Sequence, residues 1–167
     1  MKNYEEIFEL RGSRYDKAMR QYPKARDEEF KQIIYRACLN STESVADVPA
    51  GGGYLKSYLP EGCRWFGHEP CSSFTNHGNT FSEKNRLLPL PWDNDSVDIA
   101  MSLAGVHHID DKRPLFLDIN RVTKPGGRFV LSDVATDSPV AYFLDNYVGK
   151  YNSTGHQGVF LDATTLK

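Results

Sequence analysis

The chain has 167 residues, with 20 Lys plus Arg against 22 Asp plus Glu, and is 40% hydrophobic, 25% charged and 12% aromatic. That is the size of one ordinary domain and the composition of a globular protein, which excludes a second full domain and wholesale disorder. A formal charge of −2 gives no basic field to hold a polyanion, so nucleic acid is not an expected partner.

The first residues, MKNYEEIFEL, carry acids where a signal peptide needs an apolar stretch, and no uncharged apolar run reaches the roughly 18 residues of a membrane helix. A cytoplasmic protein without a membrane span is expected. Cys38, Cys63 and Cys71 are sparse and odd in number, the pattern of reduced thiols. Residues 4–38 place Tyr4, Ile7, Phe8, Tyr15, Met19, Phe30, Ile33, Ile34 and Cys38 at mostly three- and four-residue spacings, which is helical periodicity. Pro23 separates two helices, the second covering about Ala25 to Leu39. Residues 1–40 thus form a helical N-terminal segment, a candidate lid, and residues 41–167 the remaining domain.

After Asn40 short apolar runs alternate with Gly and Pro. Strands are expected at Val45–Val48, around Trp65–Gly67, at Val97–Leu103 and at Arg128–Ser132. Crossover helices fit between them, notably Pro114–Val122, where Leu115, Phe116, Ile119 and Val122 share a face. Strands alternating with helices predict an α/β fold, a mostly parallel sheet with right-handed crossovers and ligands at the carboxyl ends of its strands. Ser138–Tyr151 reads as a further helix, with Tyr142, Phe143, Tyr147 and Tyr151 packing in the core or touching a substrate. Beyond it only a short strand around Val159–Leu161 is expected, and Asp162 is placed to cap a helix beginning at Ala163. The strand at Arg128–Ser132 then becomes a sheet edge. Such an edge implies either a truncated chain, with its C-terminal strand pair missing or incomplete, or a homodimer that covers it.

The most informative stretch is VADVPAGGGYL, Val45 to Leu55: a strand containing an acid, then a small-residue turn running towards a helix. Gly51, Gly52 and Gly53 let a ligand lie against backbone amides. Glu69 follows 22 positions after Asp47, where a carboxylate accepts hydrogen bonds from ribose hydroxyls. A dinucleotide fingerprint needs glycine where Lys56 stands, which weakens a dehydrogenase reading. Among His68, Cys71 and His77 no paired spacing supports a metal site, and none is expected.

VADVPAGGG and GHEP, together with LPWDNDSVDIAMSLAGVHHIDD from Leu90 and RVTKPGGRFVLSD from Arg121, resemble the class I S-adenosylmethionine-dependent methyltransferases. Within these the chain is most similar to the small-molecule group containing the ubiquinone and menaquinone C-methyltransferases. The resemblance covers roughly Ser44 to Asp133 and implies a Rossmann-like sheet with helices on both faces. It also implies S-adenosylmethionine as cofactor and methyl transfer to a small-molecule acceptor. By the same resemblance Asp47, Ala50, Gly51 and Gly53 cradle the amino acid end of the cofactor. Glu69 binds the ribose, Pro70 lies beside the adenine, and Ser102, Leu103 and Ala104 run under the methionine portion. At the adenine, Arg86 stands where the family usually has an acid, leaving recognition to backbone atoms or to Leu87. Pro49 replaces the first glycine of the loop and removes one amide donor. KPGG, Lys124 to Gly127, is a structural turn, while His107 and His108 are candidates for a general base but are expected to be structural. A non-catalytic binding domain on the same fold is the alternative reading, and a nicotinamide oxidoreductase the third.

Overall fold

The computed structural model describes residues 3–74, 86–151, 155–162 and 164. Four parallel strands form one sheet in the order β2-β1-β3-β4, with β1 at Ser44–Asp47, β2 at Arg64–Gly67, β3 at Val97–Leu103 and β4 at Thr123–Ser132. The N-terminal pair of helices is α1, Tyr4–Gln21, and α2, Asp27–Ala37; the crossover helix α3 spans Arg113–Val122.

Alternation along the strands explains the layers. Val45 of β1, with Ile99 and Met101 of β3, packs under Phe30, Ile33 and Ala37 of α2, while Ala46 and Ala100 point to the other face, against Leu115, Ile119 and Val122 of α3. Helices therefore cover both faces, as the strand-helix alternation predicts. The N-terminal segment belongs to the same body, because Tyr4 is part of one core cluster and Met19 of the other.

Local signals set the ends of α1 and α2. Asn3 and Glu6 close a capping box on α1, and α2 stops at Cys38 in the left-handed conformation. KPGG is not a simple turn. The pairing slips from Val97 opposite Thr123 to Ile99 opposite Arg128, so Lys124–Gly127 is a bulged excursion within β4, with Gly126 at φ +80°.

Three expectations change. No α-helix follows the glycine turn: residues Tyr54–Tyr58 make a five-residue 3-10 turn, because Pro60 holds Leu59 extended at ψ 144°. The segment after β4 is helical from α4, Pro139–Phe143, through a π-type turn, Leu144–Val148, to a last turn, Gly149–Tyr151. Its aromatic rings are not core, however: Tyr142, Phe143, Tyr147 and Tyr151 are all more than half exposed. Val159–Leu161 makes no strand on β4. Leu161 forms an isolated bridge with Ala135, and β4 pairs with β3 alone among the described residues. The helix start at Ala163 lies outside the described residues. Among the described residues no helix is long and apolar enough to cross a membrane.

Candidate active site

The carboxyl ends of β1 and β3 open onto a cavity of about 530 Å³, the position that a parallel α/β sheet reserves for ligands. Asp47, Ala50, Gly51, Leu103 and Ala104 line it. Asp47 is buried and accepts a hydrogen bond from Trp65 Nε1 at 3.2 Å. Burial, opposed by that bond and reinforced by the charge of Glu69, pushes its carboxyl up to about 7. Gly51 adopts φ +52°, and a Cβ there would meet only the edges of Tyr54 and Phe74, at 3.6 and 3.8 Å. Glycine is needed at this position for its backbone conformation. Ala104, a non-glycine residue at φ +51°, marks a strained end to β3. The next residue, Gly105, passes so close to the Pro49 ring that a Cβ would sit 2.6 Å from its Cγ.

Glu69 is buried and lines neither cavity; it lies behind Gly51 and Tyr4, which do line the larger one. Its Oε2 accepts from Gly51 N at 2.9 Å and from the Tyr4 hydroxyl at 2.8 Å, and its Oε1 accepts from Cys71 N at 3.0 Å. Burial raises its carboxyl above the ordinary range despite these bonds. Tyr4 comes from α1, which lies against the loop after β2. Gly12 allows that approach, since a Cβ there would fall 2.0 Å from Ser73 Oγ, and Ser73 Oγ donates to Phe8 O at 2.7 Å. One residue on, Glu5 Oε1 accepts from Leu87 N at 2.9 Å. Tyr4 and Glu5 also line a second cavity, of about 500 Å³, with Arg86, Leu87, Asp110 and Asp111. Tyr4 is therefore a wall shared by the two cavities.

The remaining expected residues have other places. Gly53, at φ +73°, starts the 3-10 turn and is not among the lining residues. Pro70 and Ser102 are buried without lining either cavity. Arg86 is exposed; its carbonyl oxygen faces His68 Nε2 at 3.2 Å, and Leu87 O is 2.9 Å from the same nitrogen. His68 is thus a tether for this loop. Cys71 is buried against Glu5 O, and His77 lies outside the described residues.

His107 and His108 both line the larger cavity. His107 Nδ1 is 2.5 Å from Asp133 Oδ1, and Asp133 Oδ2 also accepts from Val106 N at 2.8 Å. Burial would raise Asp133; the bond and charge of His107, with backbone amides, outweigh it and hold the carboxyl below its usual range. His108 Nδ1 is 2.5 Å from Gln157 O, and burial with the neighbouring His107 pushes His108 down to about 3. Sequence reasoning missed the walls from distant elements: Tyr4, Phe8 and Tyr15 of α1, Phe30 of α2, Phe74, and His156. Helical periodicity marked the aromatic stripe of α1 as an apolar face. Spacing carried no signal for His156, 48 positions after His108.

A family model described as a methyltransferase domain matches residues 46–131. The uncharacterized methyltransferase YcgJ of Bacillus subtilis is 26% identical over 140 residues, covering 77% of this chain and 54% of its own length. The uncharacterized methyltransferase Rv0224c of Mycobacterium tuberculosis is 33% identical over 98 residues, covering 53% and 38%. The chain thus spans about half or less of the length of these relatives. Among solved structures, an S-adenosylmethionine-dependent methyltransferase from Thermotoga maritima superposes over 96% of this chain and 76% of its own, with TM-score 0.73 and 19% identity. A Haloferax volcanii methyltransferase, in complex with the activator Trm112, matches 78% and 60%, with TM-score 0.59 and 23% identity. These likenesses carry the fold; the family model, spanning β1 to β4, carries the assignment. The chain belongs to the methyltransferase domain family of class I, whose cofactor is S-adenosylmethionine.

Proposed function

We propose that this domain transfers a methyl group from S-adenosylmethionine to a small-molecule acceptor held in the larger cavity. The observation that carries the reading is the convergence of Asp47, Gly51 and the Leu103–Ala104 backbone on one cavity at the carboxyl ends of β1 and β3. The donor set fits the cofactor. A buried carboxylate at Asp47 suits an ammonium, Glu69 suits a ribose diol, and the Leu87 amide suits a ring nitrogen of adenine. When bound, the cofactor supplies an electrophilic methyl group on a sulfonium sulfur.

The chain's own residues then bind, orient and exclude water. Gly51 brings its backbone against the ligand, and Phe8, Tyr15, Phe30 and Phe74 form an apolar wall. Positioning in a dry pocket supplies much of the acceleration for an in-line displacement. A cavity of about 530 Å³ lies in the range of small-molecule sites.

The N-terminal helix serves as a lid. The Tyr4 hydroxyl and the Glu5 carboxylate occupy the hydrogen-bonding groups of Glu69 and Leu87, so the first turn of α1 withdraws for the adenosine half to enter. Calorimetric titration with S-adenosylmethionine and S-adenosylhomocysteine tests the reading. One-to-one binding of both, lost in Asp47→Ala, is expected. Binding of neither by the folded protein, or of NAD in their place, would remove it.

A further inference from the structure

Beyond cofactor binding, and independently of it, we propose that His107, His108 and His156 form a site for a divalent transition cation of the zinc type, at the wall of the larger cavity. One ring nitrogen of each lies within 4.8 Å of those of the other two, and the three ring centroids are 3.9, 5.6 and 5.7 Å apart. Tetrahedral zinc with bonds of about 2.0–2.1 Å needs ligand nitrogens about 3.3 Å apart, so small ring rotations close the set.

The outer hydrogen bonds are those of a metal-binding histidine set. His107 Nδ1 faces Asp133 Oδ1 at 2.5 Å, His108 Nδ1 faces Gln157 O at 2.5 Å, and His156 Nδ1 faces Asp145 Oδ1 at 3.3 Å. A ring that donates its Nδ1 proton to a carboxylate or carbonyl is fixed as the tautomer whose Nε2 lone pair is free to ligate. At His156 that lone pair is already orphaned: Nε2 is buried with no hydrogen-bond partner, and the side chain is 6% exposed. An unpaired buried nitrogen is costly, and a cation satisfies it.

Packing and charge agree. The loop carrying His156 approaches the helical turn of His107 and His108 through Val159 N, which donates to His107 O at 2.6 Å. Gly158 makes this possible, because a Cβ there would lie 2.8 Å from His107 Cδ2. Asp133 and Asp145 place two carboxylates behind the three rings, the charge a dication needs; the charge of Arg11, felt at His156, opposes them. Three protein ligands leave one coordination position open. All three rings line the cavity, so that position takes water or an anionic heteroatom of a bound acceptor.

The test is titration of chelator-stripped, tag-free protein with cobalt(II), followed by competition with zinc. The expected result is one equivalent bound with the intense visible bands of tetrahedral cobalt. His156→Ala should abolish those bands and weaken binding by more than about a hundredfold, beyond the 10–100-fold typical of an outer-shell change. Asp145→Ala, which removes only an exposed outer partner, should weaken it about tenfold. Since His156→Ala could disturb its loop, His108→Ala provides a second removal, with circular dichroism and thermal unfolding reporting an intact fold. No cobalt binding, octahedral spectra, or tetrahedral binding that survives both substitutions overturns the proposal and leaves the cofactor site untouched.

Discussion

The half of the site built on β1 and β3 faces an open cavity through Asp47, Gly51 and Ala104, whereas the half after β2 is filled by the protein itself. There Glu69 and the Leu87 amide are bonded to Tyr4 and Glu5 of α1. The open half is fixed by short-range backbone features, a positive φ at Gly51 and another at Ala104, which hold whether or not a ligand is present. The closed half depends on side chains brought from 65 and 82 positions away in sequence. One half is therefore preorganised, and under the proposed function the other must exchange one set of partners for another for the cofactor to bind.

The comparison can be broken first at Gly51. Gly51→Val puts a β-branched residue at φ +52°, and loss of cofactor binding by more than about a hundredfold is expected from strain and obstruction together. Near-normal affinity in a folded variant would mean that the open half is not the cradle. Glu69→Ala comes next. Removing charge-assisted bonds of this type costs roughly 1.5–3 kcal/mol, about tenfold to more than a hundredfold in affinity, read by calorimetry. It also frees Tyr4, so looser protection of α1 against hydrogen exchange should accompany it.

The third measurement separates the halves by pH. Asp47 titrates near 7 in the cofactor-free protein, and pairing with a cationic ligand requires the carboxylate. Affinity should fall about tenfold per pH unit below about 7, and Asp47→Asn should flatten that limb of the profile. The stability of the cofactor-free protein has the opposite sign. The folded carboxyl takes up its proton at a higher pH than the unfolded chain, whose value is near 3.8. The contribution of Asp47 to stability is thus greatest below that value and is lost as pH rises through about 7, whereas Asp98 and Asp133, held below their usual range, contribute with the opposite slope. The smallest effect sharpens the closed half. Tyr4→Phe removes the hydroxyl that competes for Glu69, a net bond of about 0.5–1.5 kcal/mol, so the cofactor should bind about two- to tenfold more tightly. Weaker binding in Tyr4→Phe would show that the hydroxyl assists the ligand.

Much of the sheet was legible because strands are local. Val97–Leu103 reads as an apolar run between turn signals and is β3 as expected, while Ser44–Asp47 and Arg64–Gly67 differ from expectation only at their ends. The glycine turn was legible as a close-approach site for the same reason, since a positive φ is a property of the residue that adopts it. The helix expected after it was not, because a proline seven positions beyond the last of the glycines limits the chain to a 3-10 turn. The aromatic face of the C-terminal helix was misjudged. Periodicity says which residues share a face but not which face meets the core, and here Val140, Leu144 and Val148 took the cavity side.

By itself the sequence determined the strand-helix alternation, the parallel sheet that follows from it, and the acid-and-glycine turn at the end of β1. Each of these depends on neighbours a few residues apart or on the handedness of a crossover. Only the tertiary structure decided that Tyr4 would close on Glu69, that Glu5 would hold the Leu87 amide, and that His156 would join His107 and His108. Those contacts join segments separated by 48 to 82 positions, and no local spacing encodes them. They arise because α1 and the loop after α4 both pack over the carboxyl end of the sheet, where burial of their apolar sides carries the polar groups into reach of one another.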